Sequence, residues 1–568
     1  MAVAAALTAL VAVLGMVAVL GSYRRRRTAT TSDFLVASRG VSPAWNASAI
    51  SSEYISAAAF LGTAGLVLAY GADMLWLPIG AAAGYVLLLA FVTAPLRRSG
   101  AYTISDFAEW RLGSRAVRRI VSACVCFIGW FYLLPQFQGA GVTLRVLTGA
   151  PVWAGWAVVV AAVLAIVLAG GMRSITVVQG VQYWVKLVAI AVPAVALLSL
   201  WHLDGADDPT GPRLPSFERT TTVRVQTGVA VNVTGVTPVG VRGTLDGTWH
   251  ESAVVSLAPG RHVVGDRTVL VFPAGAPVPH AERLPVQSGD TWAVPFGRDQ
   301  QHPLFATYSA LLGVLLGTMG LPHILMRFYT DRCGRAARRT AAMVPVLLSL
   351  FYVFPALYGA LGRLYTPELL MTGDTDATIL MLPQRLAPGA VGALLTGLVA
   401  AGAFAAFIST SCGIVVAIGG TISQGFRLGG VRAFRLGALV ALAVPLLLVS
   451  RVGPLGAAGL VTLALTVSAC SLCPLLVLGI WWRRLTAAGA GTGLVVGGGL
   501  AVTAGVVSIF GGPWPGWAEV VLARPAIVLV PVTVAVMVGV SLLTSRRIPR
   551  RADRAMARLH LPEEIITR

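Results

Sequence analysis

GLPHILMRFYT, residues 320–330, lies where a long apolar run ends and an arginine-rich loop begins. Its proline cannot donate a backbone hydrogen bond, and its histidine and arginine are polar groups at a helix end. In a membrane-spanning helix such groups and such an interruption are costly, and they are typical of functional positions. The stretch therefore predicts a hinge in a transport protein.

The composition indicates that most of the chain lies in lipid. The 568 residues are 56% hydrophobic and 12% charged, with a mean hydropathy of +0.79, whereas soluble domains carry about a quarter charged residues. All but one of the 43 basic residues are arginines, the exception being Lys186, and they cluster in short loops between apolar runs. This pattern is typical of loops held on the cytoplasmic side, so the net charge of +20 does not indicate a nucleic-acid partner.

Apolar segments long enough to span a bilayer divide the chain. We predict thirteen of them, at residues 3–22, 44–70, 75–96, 118–144, 152–170, 175–200, 304–325, 341–362, 389–422, 434–450, 455–481, 486–510 and 525–545. With the N-terminus outside, the inside loops and tail hold 29 arginines and the short outside loops hold five. The arginine bias predicts an outside N-terminus and a cytoplasmic C-terminus. The high Ala, Gly and Arg content favours a bacterial source, so we expect a multi-pass protein of a bacterial cytoplasmic (inner) membrane.

Residues 202–303 form a polar insertion. It is rich in Pro, Gly, Val and Thr, with alternating stretches at 222–226 and 262–264 and turn pairs such as Asp246-Gly247. Alternation between turn signals predicts strands. We expect a small β-rich extracytoplasmic domain.

Polar groups recur inside two of the predicted spans. SSEYISAAAFLG, residues 51–62, places Glu53 among small residues that permit close helix packing, and AFISTSCG, residues 406–413, carries three consecutive hydroxyls. Hydroxyl and carbonyl oxygens suit an alkali cation, and an interrupted helix would free carbonyls for one. Alternatively, hydroxyls in membrane helices commonly bond back to their own helix.

Three strings together resemble the sodium:solute symporter family: SSEYISAAAFLG, GGMRSITVVQ (170–179) and GLPHILMRFYT. They are most similar to the cation/acetate symporters and related monocarboxylate permeases. The resemblance implies an all-α polytopic, LeuT-like membrane fold of two inverted five-helix repeats, each with a first helix broken at the midplane. GLPHILMRFYT would form the inner half of the second broken helix, and Arg327 the cytoplasmic anchor that follows it.

The implied organisation has six parts. They are an N-terminal transmembrane helix with a basic loop (1–30), the first repeat (31–201), the insertion (202–303), the second repeat (304–485), two additional helices (486–545) and a basic cytoplasmic tail (546–568).

The resemblance also implies a sodium site. Its ligands would be the carbonyls of Ser52, Ile55 and Ala406 and the hydroxyls of Ser409 and Thr410. Sodium would be the coupling ion and the only metal, and no organic cofactor is expected.

One position departs from the family pattern. Many members carry an acidic residue where this chain has Gln179, so we expect one sodium per cycle, with a proton as the alternative. We assign Gln179 to coupling or gating, together with Glu53 and Pro322.

A substrate pocket is expected beside the two helix breaks. Its predicted contacts are Tyr54, Ser56, Gln136, Thr318 and Gly320, because a helix N-terminus at a break offers amides to an anion. Gln136 and Thr318 could instead bond across helices.

These features predict a secondary active transporter that is not an enzyme. We expect sodium-coupled symport of a small monocarboxylate such as acetate by alternating access. The alternatives are a same-family symporter of proline, a sugar, a vitamin or a longer acid, and a non-transporting membrane sensor. The expected partners are the monocarboxylate and the lipid bilayer; the sequence leaves the oligomeric state open.

Overall fold

The computed structural model describes residues 1–23, 40–169, 172–296, 302–425, 431–451, 457–510, 514–549 and 551–561. Within these ranges the chain is mainly helical. Among the described residues, ten helices are long and apolar enough to cross a membrane, and Val152–Leu168 is a shorter apolar helix. The total of thirteen spans stays a prediction. The arginines from Arg24 to Arg39 and the end of the C-terminal tail lie outside the described residues.

The α-helices are, in chain order, α1 (Ala2–Tyr23), α2 (Pro43–Tyr54), α3 (Thr63–Tyr70), α4 (Trp76–Leu87), α5 (Thr93–Ser99), α6 (Ile104–Leu112), α7 (Arg115–Thr148), α8 (Val152–Ala169), α9 (Met172–Leu203), α10 (Gly289–Trp292), α11 (Pro303–Gly320), α12 (Pro322–Phe328), α13 (Gly334–Tyr365), α14 (Glu368–Thr372), α15 (Thr378–Leu386), α16 (Ala390–Gly425), α17 (Val431–Leu448), α18 (Ala457–Cys470), α19 (Leu472–Trp481), α20 (Ala487–Phe510), α21 (Trp517–Ala523), α22 (Ala526–Leu543) and α23 (Ala552–His560). Short π and 3₁₀ segments join some of them, at Ala58–Gly62, Leu88–Val92, Gly71–Leu75, Thr375–Ala377 and Ser545–Arg547.

The first broken helix is interrupted at Ile55 and Ser56. Helix α2 ends at Tyr54, Ile55 has non-helical dihedrals (φ −72°, ψ 84°), and the chain resumes through the π segment Ala58–Gly62 into α3. The Ser56 N–H donates to the carbonyl of Tyr54 at 2.8 Å instead of to that of Ser52. The interruption therefore frees backbone oxygens inside the helix bundle.

The second broken helix is interrupted at Leu321. Helix α11 ends at Gly320, Leu321 is extended (φ −64°, ψ 118°), and Pro322 opens α12. Proline is well suited to the first helical position because its ring fixes φ and no intrahelical N–H is needed there. The predicted break beside Pro322 is confirmed.

Helix α16 is the centre of the bundle. It packs against α1, α7, α9 and α17, and α9 packs in turn against α2. Its middle, from Ala403 to Ile418, is almost fully buried. Residues of α16 therefore meet the first break without access to lipid or water.

The insertion carries seven strands, β1 (Thr221–Val225), β2 (Val229–Val233), β3 (Thr237–Leu245), β4 (Thr248–Leu257), β5 (Gly260–Val264), β6 (Thr268–Phe272) and β7 (His280–Ala281). They form one antiparallel sheet in the order β1-β6-β3-β5-β2-β7, with β4 beside β3. Inward valines and Phe272 alternate with exposed residues along most strands. The alternation gives the sheet an apolar core of its own.

Two contacts fix the insertion to the helices. The Trp292 indole donates to the carbonyl of Val67 at 2.8 Å, and Arg363 donates to that of Gln287 at 2.6 Å. Gly71 (φ +75°) permits the first contact, because a Cβ there would lie 1.9 Å from the Trp292 carbonyl oxygen. The insertion is therefore seated on the end of α3.

Candidate functional site

The first break presents free carbonyl oxygens to α16. Ala57 N–H would bond to Glu53 O in a continuous helix, but it donates to the Gln136 side-chain oxygen at 3.0 Å. The freed Glu53 carbonyl accepts from the Thr410 hydroxyl at 2.7 Å. The Ser409 hydroxyl lies 3.0 Å from Ser52 O. Two hydroxyls of α16 thus meet the oxygens that the break releases.

A lysine ammonium occupies the same junction. Lys186 of α9 is fully buried, and its Nζ donates to the carbonyl of Ile55 at 3.0 Å and to the Ser409 hydroxyl at 2.5 Å. It also donates to the carbonyl of Ser52. An ammonium has three N–H donors, so these three oxygens satisfy it completely.

The structure brings the predicted sodium ligands together. Ser52, Ile55 and Ser409 contact the ammonium, and Ala406 O lies 3.1 Å from the Ser409 hydroxyl. The donor set suits a hard cation, yet three of its five members already bind a positive charge. Two unit charges about 4 Å apart repel by about 4 kcal/mol at an effective dielectric constant of 20. These residues therefore suit a single cation, and the Lys186 ammonium is that cation.

A buried ion pair joins the two broken helices. Arg327 Nε of α12 lies 2.6 Å from Glu53 Oε2 of α2, and both side chains are fully buried. The guanidinium also donates to the Thr176 hydroxyl at 2.8 Å and to the Gln179 side-chain oxygen. The expectation that Arg327 anchors the chain at the cytoplasmic surface is wrong, because its charge is neutralised by a carboxylate 274 positions away.

Gln179 connects this pair to the lysine junction. Its amide nitrogen donates to the Ser409 carbonyl at 2.7 Å, while its oxygen accepts from Arg327. Gly413 on α16 makes room for the carboxylate, since a Cβ there would lie 1.7 Å from Glu53 Oε1. Of the residues assigned to coupling, the structure places Glu53 and Gln179 in one cluster; Pro322 begins the helix that carries Arg327.

A cavity lies on the other side of the first break. It is small, with a volume of about 50 Å³, and partly open to solvent. The wall contains apolar side chains from several helices and six hydroxyl-bearing residues: Tyr54, Ser56, Thr63, Tyr132, Tyr352 and Thr462. An apolar wall with a few polar groups is the lining expected of a small-molecule site, and the small volume restricts it to a small ligand.

The five predicted substrate contacts divide into two groups. Tyr54 and Ser56 line the cavity, whereas Gln136, Thr318 and Gly320 are absent from its described wall. The Gln136 side chain accepts from the Ala57 N–H at the first break and donates to the Tyr132 carbonyl of its own helix. The Thr318 hydroxyl lies 2.9 Å from the Tyr54 hydroxyl. Gly320 packs so closely that a Cβ would lie 2.6 Å from the Ser468 hydroxyl. These three lie beside the cavity, and their contact with substrate stays a prediction.

Sequence reasoning missed Lys186 and four of the hydroxyl-bearing wall residues, which are Thr63, Tyr132, Tyr352 and Thr462. Lys186 carried a signal, because it is the only lysine of the chain and stands inside an apolar run, where a charge is expensive. Tyr132 carried none, since an aromatic residue on a membrane helix is more often simply packed against its neighbours.

Comparisons with known proteins agree on the family. The sodium:solute symporter family model matches residues 34–207 and 287–497. The uncharacterized symporter YwcA of Bacillus subtilis is 26% identical over 497 residues, covering 86% of this chain and 83% of the relative. A protein named monocarboxylic acid transporter, from Corynebacterium glutamicum, is 26% identical over 491 residues, covering 83% of this chain and 78% of the relative.

Solved structures agree on the fold. A Na⁺-coupled sialic acid symporter in a substrate-bound outward-open state has a TM-score of 0.61 at 12% identity, covering 95% of this chain and 98% of that one. Mhp1, a nucleobase-cation-symport-1 family transporter in a closed conformation, has a TM-score of 0.51 at 13% identity, covering 93% and 99%. The fold is that of LeuT-type transporters, and the resemblance found in the sequence is confirmed: this chain, a multi-pass membrane symporter and not an enzyme, belongs to the sodium:solute symporter family.

Proposed function

We propose that this chain is a secondary active symporter of a small monocarboxylate such as acetate, working by alternating access in a bacterial cytoplasmic membrane. The observation that carries the proposal is the small hydroxyl-lined cavity beside the first helix break, one residue from a backbone carbonyl that binds a buried ammonium. The name of the Corynebacterium relative points to the same substrate class.

The cavity wall suits a carboxylate. Hydroxyls of Tyr54, Ser56 and Tyr132 can donate to its oxygens, and no acidic side chain occurs among the wall residues that the structure describes. The adjacent ammonium supplies positive potential without entering the cavity. A short anion therefore needs no arginine of its own, while its methyl or ethyl group meets Ala58, Ala59 and apolar neighbours.

The Glu53–Arg327 pair is proposed as a gate. It joins α2 to α12, which are the halves of the two broken helices on the same side of the breaks. The wall residues between Ser56 and Leu66 come from the other side of the first break. Opening on the α2 and α12 side must separate this pair or move both helices together. Gln179 transmits the displacement to α16 through the Ser409 carbonyl. We assign Glu53, Gln179 and Pro322 to gating on this basis.

The proposed topology rests on the arginine bias of the loops, and the proposed coupling ion rests on the family name. The N-terminus and the 202–303 insertion are placed outside the cell and the C-terminal tail inside, with thirteen spans. The family name favours sodium as the driving ion, and a proton is the alternative; Ser52, Ile55, Ala406, Ser409 and Thr410 form the junction at which a family-type cation site would lie.

Uptake into proteoliposomes tests the proposal. Labelled acetate, propionate and pyruvate are compared with proline and glucose, under an inward sodium gradient and separately under a pH gradient. Accumulation of a monocarboxylate above its equilibrium level under one gradient is expected. Entry that never exceeds equilibrium, or accumulation of proline or glucose alone, would contradict it.

A further inference from the structure

We propose that Lys186 is a built-in replacement for the sodium ion, so that this chain binds no sodium at the junction of the first helix break and α16. Only the consequence for transport rests on the proposed function. The absence of sodium binding follows from the contacts of Lys186 alone. In this respect the chain would differ from the sodium dependence that its family name indicates.

The Lys186 ammonium contacts the same oxygens that were predicted to bind sodium. The carbonyls of Ser52 and Ile55 and the hydroxyl of Ser409, expected to hold an ion, are the three acceptors of the Lys186 ammonium. All of these residues are fully buried. A side chain that merely passed through the bundle would not place all three donors on the predicted ligands of one ion.

The charge of the cluster points the same way. The Glu53 carboxylate interacts electrostatically with Lys186 and is paired with Arg327 at 2.6 Å. One carboxylate and two cationic side chains leave a net charge of +1, the charge that the ion pair would have with a bound sodium ion. A metal cation added to the same oxygens would raise this net charge to +2, in a medium that screens poorly.

The Lys186 side chain also links three helices. In a sodium-dependent junction the ion joins the broken helix to the opposing helix only when it is bound. Here the Lys186 side chain reaches from α9 to both α2 and α16. The three elements are tied by a covalently attached cation, so closing this junction requires no ion from solution.

The lysine also bears on the substrate. Ser56, the residue after the Ile55 carbonyl that binds Nζ, lines the cavity. A carboxylate there lies close to the Lys186 ammonium. Anion binding is then favoured by the lysine itself, where a sodium-dependent relative would need the ion to bind first.

A sodium-binding assay that does not involve transport tests the inference. The purified full-length protein is melted in detergent in NaCl and in choline chloride at equal ionic strength, alongside Lys186→Ala and Lys186→Met. Lys186→Ala empties the junction, whereas Lys186→Met removes the charge but keeps the side-chain length. Sodium should raise the melting temperature of Lys186→Ala only, leaving wild type and Lys186→Met unchanged.

Further variants show where sodium binds and replace Lys186→Ala if that variant does not fold. Adding Ser409→Ala to Lys186→Ala should abolish the sodium response, because it removes the shared hydroxyl. Lys186→Ser serves as a second emptied variant should Lys186→Ala fail to fold. A sodium-dependent shift in wild type, or none in a folded emptied variant, would overturn the inference. Neither result depends on which solute is carried, so failure of the proposed substrate would leave this test intact.

Discussion

Replacing Gly413 by alanine should break the Glu53–Arg327 gate without touching either charged residue. The new Cβ would lie 1.7 Å from Glu53 Oε1 and 2.0 Å from the carboxyl carbon, so the carboxylate must move away from Arg327. Breaking a buried ion pair costs about 3–5 kcal/mol, while alanine in place of glycine stabilises a helix by up to about 1 kcal/mol. We expect a net loss of roughly 2–4 kcal/mol.

The matched control is Gly499→Ala in α20, where a Cβ would meet nothing within 4 Å. Thermal unfolding in detergent should show a lower melting temperature for Gly413→Ala and an equal or higher one for Gly499→Ala. In a Glu53→Ala background the Gly413 substitution should lose its penalty, which a double-mutant cycle would measure. Equal melting temperatures for the two glycine variants, or additive effects in the cycle, would refute the steric argument.

Three further predictions concern other parts of the molecule. Glu53→Gln leaves the Arg327 guanidinium buried without a countercharge and should destabilise the protein by about 3–5 kcal/mol; a thermal unfolding curve within 1 °C of wild type would contradict this. Tyr54→Phe removes the 2.9 Å hydroxyl contact that joins the two helix breaks, and should raise the KM for uptake by about fivefold, the effect of about 1 kcal/mol of hydrogen bonding. In the insertion, Nδ1 of His262 donates a hydrogen bond to the Asp246 carboxylate at 2.7 Å, which raises the pKa of His262 above its ordinary value near 6.5. The resulting stabilisation is present at lower pH and lost as the pH rises through that raised pKa. An NMR titration of the ring should show a lower His262 pKa in Asp246→Asn.

Much of the fold was predictable because it follows from local chemistry. Pro322 after a long apolar run predicts an interruption, and the helix does end two residues earlier, at Gly320. The small residues around Ser52 favour close packing, and the break found at Ile55 lies beside them. Each of these depends on groups within a few positions along the chain.

The site was less predictable because its contacts join distant positions. Arg327 follows an apolar run and looks like an interfacial charge, and only the folded chain places Glu53 beside it. Lys186 stands 134 positions from Ser52, so its rarity could mark it as functional but could not identify its acceptors. Gln136 and Thr318 were expected at the substrate because they are polar. In the structure their side chains hydrogen-bond to Ala57 and Tyr54, beside the first break.

The most direct test of the central claim is the initial rate of monocarboxylate uptake into proteoliposomes as external sodium is raised from zero, with choline holding the ionic strength constant. If the Lys186 ammonium occupies the cation junction, the wild-type rate is the same at every sodium concentration. A rate that is near zero without sodium and rises to saturation as sodium is added would contradict the account.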